Sequence, residues 1–118
     1  MYNRESGIIG EAEALRYLTG QGMKVLEKNY RRAGGEIDLI VRDGDTIVFV
    51  EVKARTSPRF GAPAEAVTPA KMRSIVRVAM GYLQTHRLLD SPTRFDVIAI
   101  DGTGLRHIRG AFDATGLI

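Results

Sequence analysis

Two carboxylates and a lysine are the residues of this chain whose types and spacing best suit chemistry: Asp38, Glu51 and Lys53. They lie within residues 36–53, where two runs rich in Ile, Val, Leu and Phe flank an Asp-Gly pair at positions 43–44. Asp-Gly between such runs predicts a β-hairpin, because Gly and Asp tolerate the positive φ of tight turns. Side chains alternate along a strand, so all three residues are expected on one face of the hairpin.

The turn also predicts which residues face each other. With residues 43–44 as the loop, Arg42 pairs with Asp45, and Asp38 becomes a diagonal neighbour of Glu51 at roughly 7–8 Å. A slip of one residue would separate the two carboxylates onto opposite faces, so the site depends on the register. The opposite face is expected to be wholly aliphatic, made of Ile37, Leu39, Val41, Val48, Val50 and Val52.

The charges on this face predict a metal site. Like charges on adjacent strands repel, so a sheet built only for stability would not gather Glu36, Asp38 and Glu51 beside Phe49. A divalent cation removes the repulsion, since Mg²⁺ takes carboxylate oxygens together with water and phosphate. Lys53 adds positive charge where a phosphate or an attacking water would sit, as in metal-dependent phosphodiester hydrolysis. The alternative is that these are solvated charges on the outer face of an amphipathic hairpin.

Composition limits the class of protein. With 118 residues and 44% hydrophobic residues, the chain is expected to form a single domain over residues 1–118. The absence of cysteine excludes disulfides and thiolate sites. No apolar run is long enough for a membrane span, and no signal-peptide pattern is visible, so a cytoplasmic protein is expected. The net charge of +3 is weak support for an anionic partner.

Positive charge is concentrated after the candidate site. Between Lys53 and Arg77 the chain has six bases and one acid, Glu65. A loop containing Pro and Gly follows Lys53 and is expected to contact the substrate backbone. The alternative is that these bases form only a solvated face. The bases expected to bind nucleic acid are Arg31, Arg55, Arg59, Lys71, Arg73 and Arg77.

The first predicted helix, over residues 6–20, has an acidic residue at a position where an apolar one is expected. Apolar residues recur there at helical spacing, and Glu11 falls inside the apolar stripe. An unpaired buried carboxylate is costly. Glu11 is therefore expected either to pair with an arginine at the flank of the stripe or to join the metal site.

The remaining elements complete an α/β domain. Thr68-Pro69 is a typical helix start, and that helix is expected to end near Arg87. Asp96 is expected to be structural and paired either with Arg94 or with a backbone donor, and both histidines are expected to be structural. The predicted strands are 23–32 at a sheet edge, the hairpin, 94–100 and 105–112. This order favours a mixed sheet covered by helices.

Six segments together resemble the YraN family. They are Gly7-Ile-Ile-Gly10-Glu11, Asn29-Tyr30-Arg31, Gly35–Ile40, Val48–Lys53, Phe60–Val67 and Arg94–Val97. That family is considered related to archaeal-type Holliday junction resolvases, within the restriction-endonuclease-like PD-(D/E)xK superfamily. The resemblance implies a restriction-endonuclease-like core, with a central mixed β-sheet of about five strands flanked by helices. It also implies a nuclease acting on DNA, including branched DNA.

The same resemblance implies roles for individual residues. Asp38 and Glu51 would bind Mg²⁺ or Mn²⁺ with the backbone carbonyl of Val52, and Glu11 would join them from the first helix. Lys53 would orient or help deprotonate the attacking water. Resolvases act as symmetric dimers, so a homodimer is expected by analogy. The alternatives are a nucleic-acid-binding module that keeps the fold without turnover and a protein-interaction domain.

Overall fold

Two helices and five strands make up the computed structural model, which describes residues 4–54 and 67–114, with side chains from residue 10 onward. All seven elements predicted from the sequence are present. They are α1 (Arg4–Gly20), β1 (Lys24–Arg32), β2 (Gly35–Asp43), β3 (Thr46–Ala54), α2 (Pro69–Thr85), β4 (Thr93–Asp101) and β5 (Gly104–Phe112).

The five strands form one mixed sheet in the order β1-β2-β3-β4-β5. Neighbouring strands pair antiparallel except β3 and β4, which run parallel because α2 carries the chain back across the sheet between them. The expected mixed α/β architecture is thereby confirmed, and it is compatible with a restriction-endonuclease-like core.

One helix covers each face of the sheet, because alternate strand residues are apolar on both sides. Ala14 and Leu18 of α1 pack with Leu39 of β2 in one buried cluster. Ile75 and Val76 of α2 pack in a second cluster on the other face. The α1 cluster also includes Val41, Val48, Val50, Val52 and Ile98, and the α2 cluster includes Ile37, Ile40, Phe49, Ala79 and Phe95.

The second helix begins as its sequence predicts. Thr68 is the N-cap and its Oγ1 accepts a hydrogen bond from Lys71 N at 3.1 Å, while Pro69 opens the helix. Both features satisfy or remove backbone donors that a first turn leaves unpaired. Neither helix of the described residues is long and apolar enough to span a membrane.

The predicted hairpin register was wrong, because the two loop residues lie one position later in the chain than predicted. Asp43 pairs with Thr46, so the loop residues are Gly44 and Asp45 rather than residues 43–44. Gly44 has φ +62°, and a glycine in the first loop position is what a type II′ turn favours. Each partner therefore shifts by two residues, a shift that does not by itself move a side chain to the other face. Asp38 remains directed toward β3, where its carboxylate accepts a hydrogen bond from Val52 N.

One of the six residues predicted to form the wholly aliphatic face, Ile37, lies on the other face of the sheet. Leu39 and Val41 do pack under α1, but Ile37 packs with Ile40 in the cluster under α2. Strict alternation therefore fails between Ile37 and Leu39. Opposite this break, Asn29 of β1 has φ +50°, a conformation that interrupts regular strand geometry.

Candidate active site

The residues predicted to do chemistry converge on one cavity of about 270 Å³ at the end of the β2–β3 hairpin. Its lining includes all four residues predicted to be catalytic and Val52, whose carbonyl was predicted as a ligand. The full lining is Glu11, Glu36, Asp38, Glu51, Val52, Lys53 and Lys71. Strands β2 and β3 and both helices thus contribute to one polar recess.

Asp38 is fixed toward β3 by a backbone donor. The regular β2–β3 pairing ends at Leu39 and Val50, and beyond it Val52 N donates to Asp38 Oδ2 at 2.8 Å. The carboxylate thus takes the position that a ladder carbonyl would otherwise fill. This bond limits the rotamers of Asp38 and orients it beside Glu51.

The Asp38 carboxyl group resists ionisation beside the Glu51 carboxylate. Burial and the neighbouring Glu51 carboxylate raise the pKa of Asp38 to about 7, against a favourable hydrogen bond from Val52 N. Two close carboxylates with restricted access to water share a proton or require a cation. Asp38 therefore keeps its proton to a higher pH than an exposed aspartate when no metal ion is bound.

Glu51 is the most buried acid of the cavity, with 5% of its side chain exposed. Its Oε2 lies 3.4 Å from Lys53 Nζ and 3.8 Å from Lys71 Nζ. Its Oε1 is buried and has no hydrogen-bond partner among the described residues. A buried polar atom without a partner carries a desolvation penalty, so this oxygen indicates that a ligand or proton belongs there.

These features fit a divalent cation held by Asp38 and Glu51. Carboxylate oxygens are the ligands that Mg²⁺ and Mn²⁺ prefer, and a cation would remove both the repulsion and the unpaired Oε1. Within residues 10–54 and 67–114, no three His, Asp or Glu side chains form a ready-made metal cage. The remaining coordination positions would fall to the Val52 carbonyl, water and substrate phosphate.

A second group of acids at the cavity is tied together by Asn29. Its Nδ2 donates to Glu11 Oε1 at 2.9 Å and lies 3.3 Å from Glu36 Oε2. Burial raises the pKa of Glu11, the Asn29 bond opposes this, and the charges of Asp38 and Glu36 raise it further. Pairing of Glu11 with an arginine is thus wrong for the described residues, and an amide holds it at the cavity instead.

Close packing of α1 on β3 brings Glu11 to the site. A Cβ added to Gly10 would lie 2.5 Å from Ala54 Cβ, closer than two such atoms can approach. Glycine at this position therefore lets the helix backbone lie directly against the end of β3. The next residue, Glu11, is carried into the cavity by that contact.

Sequence reasoning missed part of this site. The sequence places Lys71 only among the bases expected to bind nucleic acid and Glu36 only in the acidic row of the hairpin, and it predicts no role for Asn29. The sequence does contain one indication for Lys71. A lysine in the first turn of a helix lies at the positive end of the helix dipole, which is unfavourable, so its position suggests a contact outside the helix. No local pattern indicates the bond from Asn29 to Glu11, since the two residues are 18 positions apart.

The structure describes four of the six predicted nucleic-acid-binding residues, and one of them, Lys71, lines the cavity. Arg31 lies at its rim, where its Nε is 2.9 Å from Glu36 Oε1, and 78% of its side chain is exposed. Arg73 and Arg77 are exposed on α2, and the Arg77 side chain lies against Gly34 in the β1–β2 turn. Arg55 and Arg59 lie outside the described residues.

Asp96 has the structural role expected of it. Arg94 donates to both of its oxygens, at 2.9 and 3.1 Å, and His107 Nε2 lies 2.7 Å from Oδ2. Burial alone would raise the pKa of Asp96, but the bonds from His107, Arg94 and Gly110 N outweigh it and hold the pKa below its usual value. His107 is also 3.1 Å from the hydroxyl of Tyr17, which ties α1 to the sheet.

Comparison with known proteins identifies uncharacterised relatives along most of the chain. The profile of the uncharacterised protein family UPF0102 matches residues 10–100. A UPF0102 protein of Alkalilimnicola ehrlichii is 50% identical over 113 residues, covering 95% of this chain and 90% of the relative. One of Geobacter metallireducens is 47% identical over 117 residues, covering 96% of each. One of Clostridioides difficile is 45% identical over 114 residues, covering 95% of this chain and all of the relative.

Proposed function

The chain belongs to the uncharacterised protein family UPF0102, the YraN family, and we propose from its carboxylate cavity that it is a metal-dependent endonuclease hydrolysing phosphodiester bonds in DNA. The observation that carries this proposal is the buried pairing of Asp38 with Glu51, in which Glu51 Oε1 is unpartnered and Lys53 adjoins Oε2. A fold that needed only stability would not retain such an arrangement.

In this mechanism a distinct task would fall to five of the seven lining residues. Asp38, Glu51 and the Val52 carbonyl would hold Mg²⁺ or Mn²⁺, a cation that would supply charge to polarise a phosphate and to make water a stronger nucleophile. Lys53 Nζ would orient the attacking water and offset the negative charge that develops on the phosphate oxygens. Glu11, held by Asn29, would supply a further carboxylate to the cation site.

The exposed basic residues support DNA as the substrate. Arg31 pairs with Glu36 at the cavity rim, and Arg73 and Arg77 are exposed on α2, the helix that also carries Lys71. These bases are available for phosphate contacts. Branched DNA is the substrate to screen first, and cutting two strands of a junction would call for a homodimer. A cytoplasmic location accords with such a substrate.

The decisive experiment removes the metal-binding charge of Glu51. Purified wild type, Glu51→Gln and Glu51→Ala would be incubated with Mn²⁺ and labelled junctions, flaps, duplexes and single strands. Cleavage by wild type is expected, and both variants should lose about a hundredfold or more in rate. Glu13→Gln, an identical change on α1 away from the cavity lining, should cleave like wild type. Cleavage that persists in both folded Glu51 variants would remove Glu51 from the mechanism.

A second function is favoured by the two lysines at Glu51. Because Lys53 and Lys71 already offset the charge of Oε2, the cavity could persist without a cation in a nucleic-acid-binding module that performs no turnover. Such a module would bind DNA equally with and without Mg²⁺, and Asp38→Asn would not change its affinity. A fluorescence anisotropy titration under both conditions separates this function from the nuclease.

A further inference from the structure

Lys71 reaches the cavity from a different element than the other site residues near it. It lies in the first turn of α2, and its Nζ is 3.8 Å from Glu51 Oε2. Its positive charge also lowers the pKa of Asp38, so it acts on both carboxylates. With 37% of the side chain exposed, it has more access to water than Lys53, at 25%.

The helix itself gives no reason for a lysine at this position. The first turn of a helix carries partial positive charge and unpaired N–H groups, so it favours acids and disfavours lysine. No acidic residue lies in the first turn of α2 to compensate. The favourable partner of Lys71 is therefore the carboxylate pair across the cavity, and the position is explained by the site.

Lys71 and a divalent cation cannot both be held tightly by these carboxylates. The same two acids attract both positive charges, and the charges repel each other over a few ångströms. Lys53 is confined by its place on β3, two residues from Glu51, whereas the long Lys71 side chain is partly free in water. Of the two lysines, Lys71 is the one that can move away.

Resting on the proposed function, we propose that Lys71 is a displaceable counter-cation, which competes with the divalent ion for Glu51 and Asp38 and binds substrate phosphate once displaced. In the metal-free protein it limits the repulsion between the acids. When the cation enters, the ammonium group is released toward the open side of the cavity. A phosphate that then binds Lys71 removes the competitor, so DNA and the cation strengthen each other's binding.

The test measures cation affinity rather than activity. Mn²⁺ would be titrated by calorimetry at about pH 8, above the pKa of Asp38, into wild type, Lys71→Met and Lys71→Gln. Both variants should bind Mn²⁺ about tenfold more tightly, because the competing charge is gone. Lys71→Arg keeps the charge and should stay near wild type. Lys24→Met makes the same chemical change at the far end of the sheet and should also match wild type.

The second measurement uses a DNA duplex as the phosphate source. Added DNA should tighten Mn²⁺ binding to the wild type by about tenfold, and most of this gain should be absent in Lys71→Met.

The possible outcomes separate the two proposals. If wild type binds Mn²⁺ and the folded Lys71 variants bind it equally or more weakly, the counter-cation role is overturned while the metal site stands. If neither wild type nor the Lys71 variants bind Mn²⁺, with or without DNA, the metal-dependent function itself fails. Tighter binding in both charge-removing variants, with Lys71→Arg unchanged, supports the competition.

Discussion

At the scale of single residues, the buried position of Asp38 lowers the free energy of unfolding once this carboxyl group ionises. An aspartate in an unfolded chain has a pKa near 4, whereas burial and Glu51 raise the pKa of Asp38 to about 7. Between these two pH values the unfolded chain releases a proton that the folded chain keeps. Ionisation therefore favours unfolding, and its penalty grows from about pH 4 to about pH 7 and then stays constant.

Replacing Asp38 with asparagine should therefore stabilise the metal-free protein. Asn keeps an oxygen that can accept the hydrogen bond from Val52 N but cannot ionise. We expect the free energy of unfolding to rise by about 1–3 kcal/mol at about pH 8 and to change little at about pH 4. Urea denaturation at both pH values measures this, with Asp90→Asn, an exposed aspartate beyond α2, as the control. An equal effect at both pH values would contradict it.

The same variant should respond differently to metal. Wild type gains stability from a cation that binds only the folded state, by an amount that grows with cation concentration. Asp38→Asn lacks one of the two carboxylates proposed to hold the cation, so its melting temperature should not rise when Mn²⁺ is added. A rise equal to that of wild type would place the cation elsewhere.

At the scale of elements, the contact between α1 and β3 couples packing to the site. Gly10→Ala would force a Cβ against Ala54 and push α1 outward. Overpacking should outweigh the better helix propensity of alanine and cost about 1–2 kcal/mol. Because Glu11 follows directly, its contact with Asn29 should weaken as well. Thermal and urea unfolding measure the loss.

Gly20→Ala is the matched control for that change. Gly20 ends the same helix, and an added Cβ would meet no atom within 4 Å. Alanine there should leave stability unchanged or raise it by about 0.5 kcal/mol. If both substitutions had the same effect, the close approach of α1 to β3 would not be the cause.

The helices and strands could be predicted because each is marked by residues that lie close together in the chain. Thr68-Pro69 marks a helix start, and alternating aliphatic residues mark the strands, whatever the rest of the chain does. The hairpin register could not be fixed in this way, since Gly44 suits either loop position of a two-residue turn. This error did not separate Asp38 from Glu51, because a shift of two residues does not by itself move a side chain to the other face of the sheet. The partnership of Asn29 with Glu11 depends on tertiary packing and left no pattern in the sequence.

At the scale of the whole molecule, the exposed bases should control how DNA binding depends on salt. The net charge of +3 is small, so the positions of the exposed bases matter more than the total. Arg73→Gln and Arg77→Gln should each reduce the slope of log affinity against log salt by about 0.9 for duplex DNA. Arg16→Gln removes the same charge from α1 and should leave the slope unchanged. Equal slopes in all four proteins would exclude α2 from the DNA-binding surface.

The strand order has a consequence for the sequence of folding events. Three of the four strand pairs join neighbours along the chain through short turns, and only β3 and β4 must meet across α2. Hairpins form within about 1–10 μs, whereas pairing between distant segments is slower. Asp38 and Glu51 share a hairpin, while Lys71 arrives only when α2 docks. We therefore expect the two carboxylates to meet early, and divalent cations to act during chain collapse as well as in the finished fold.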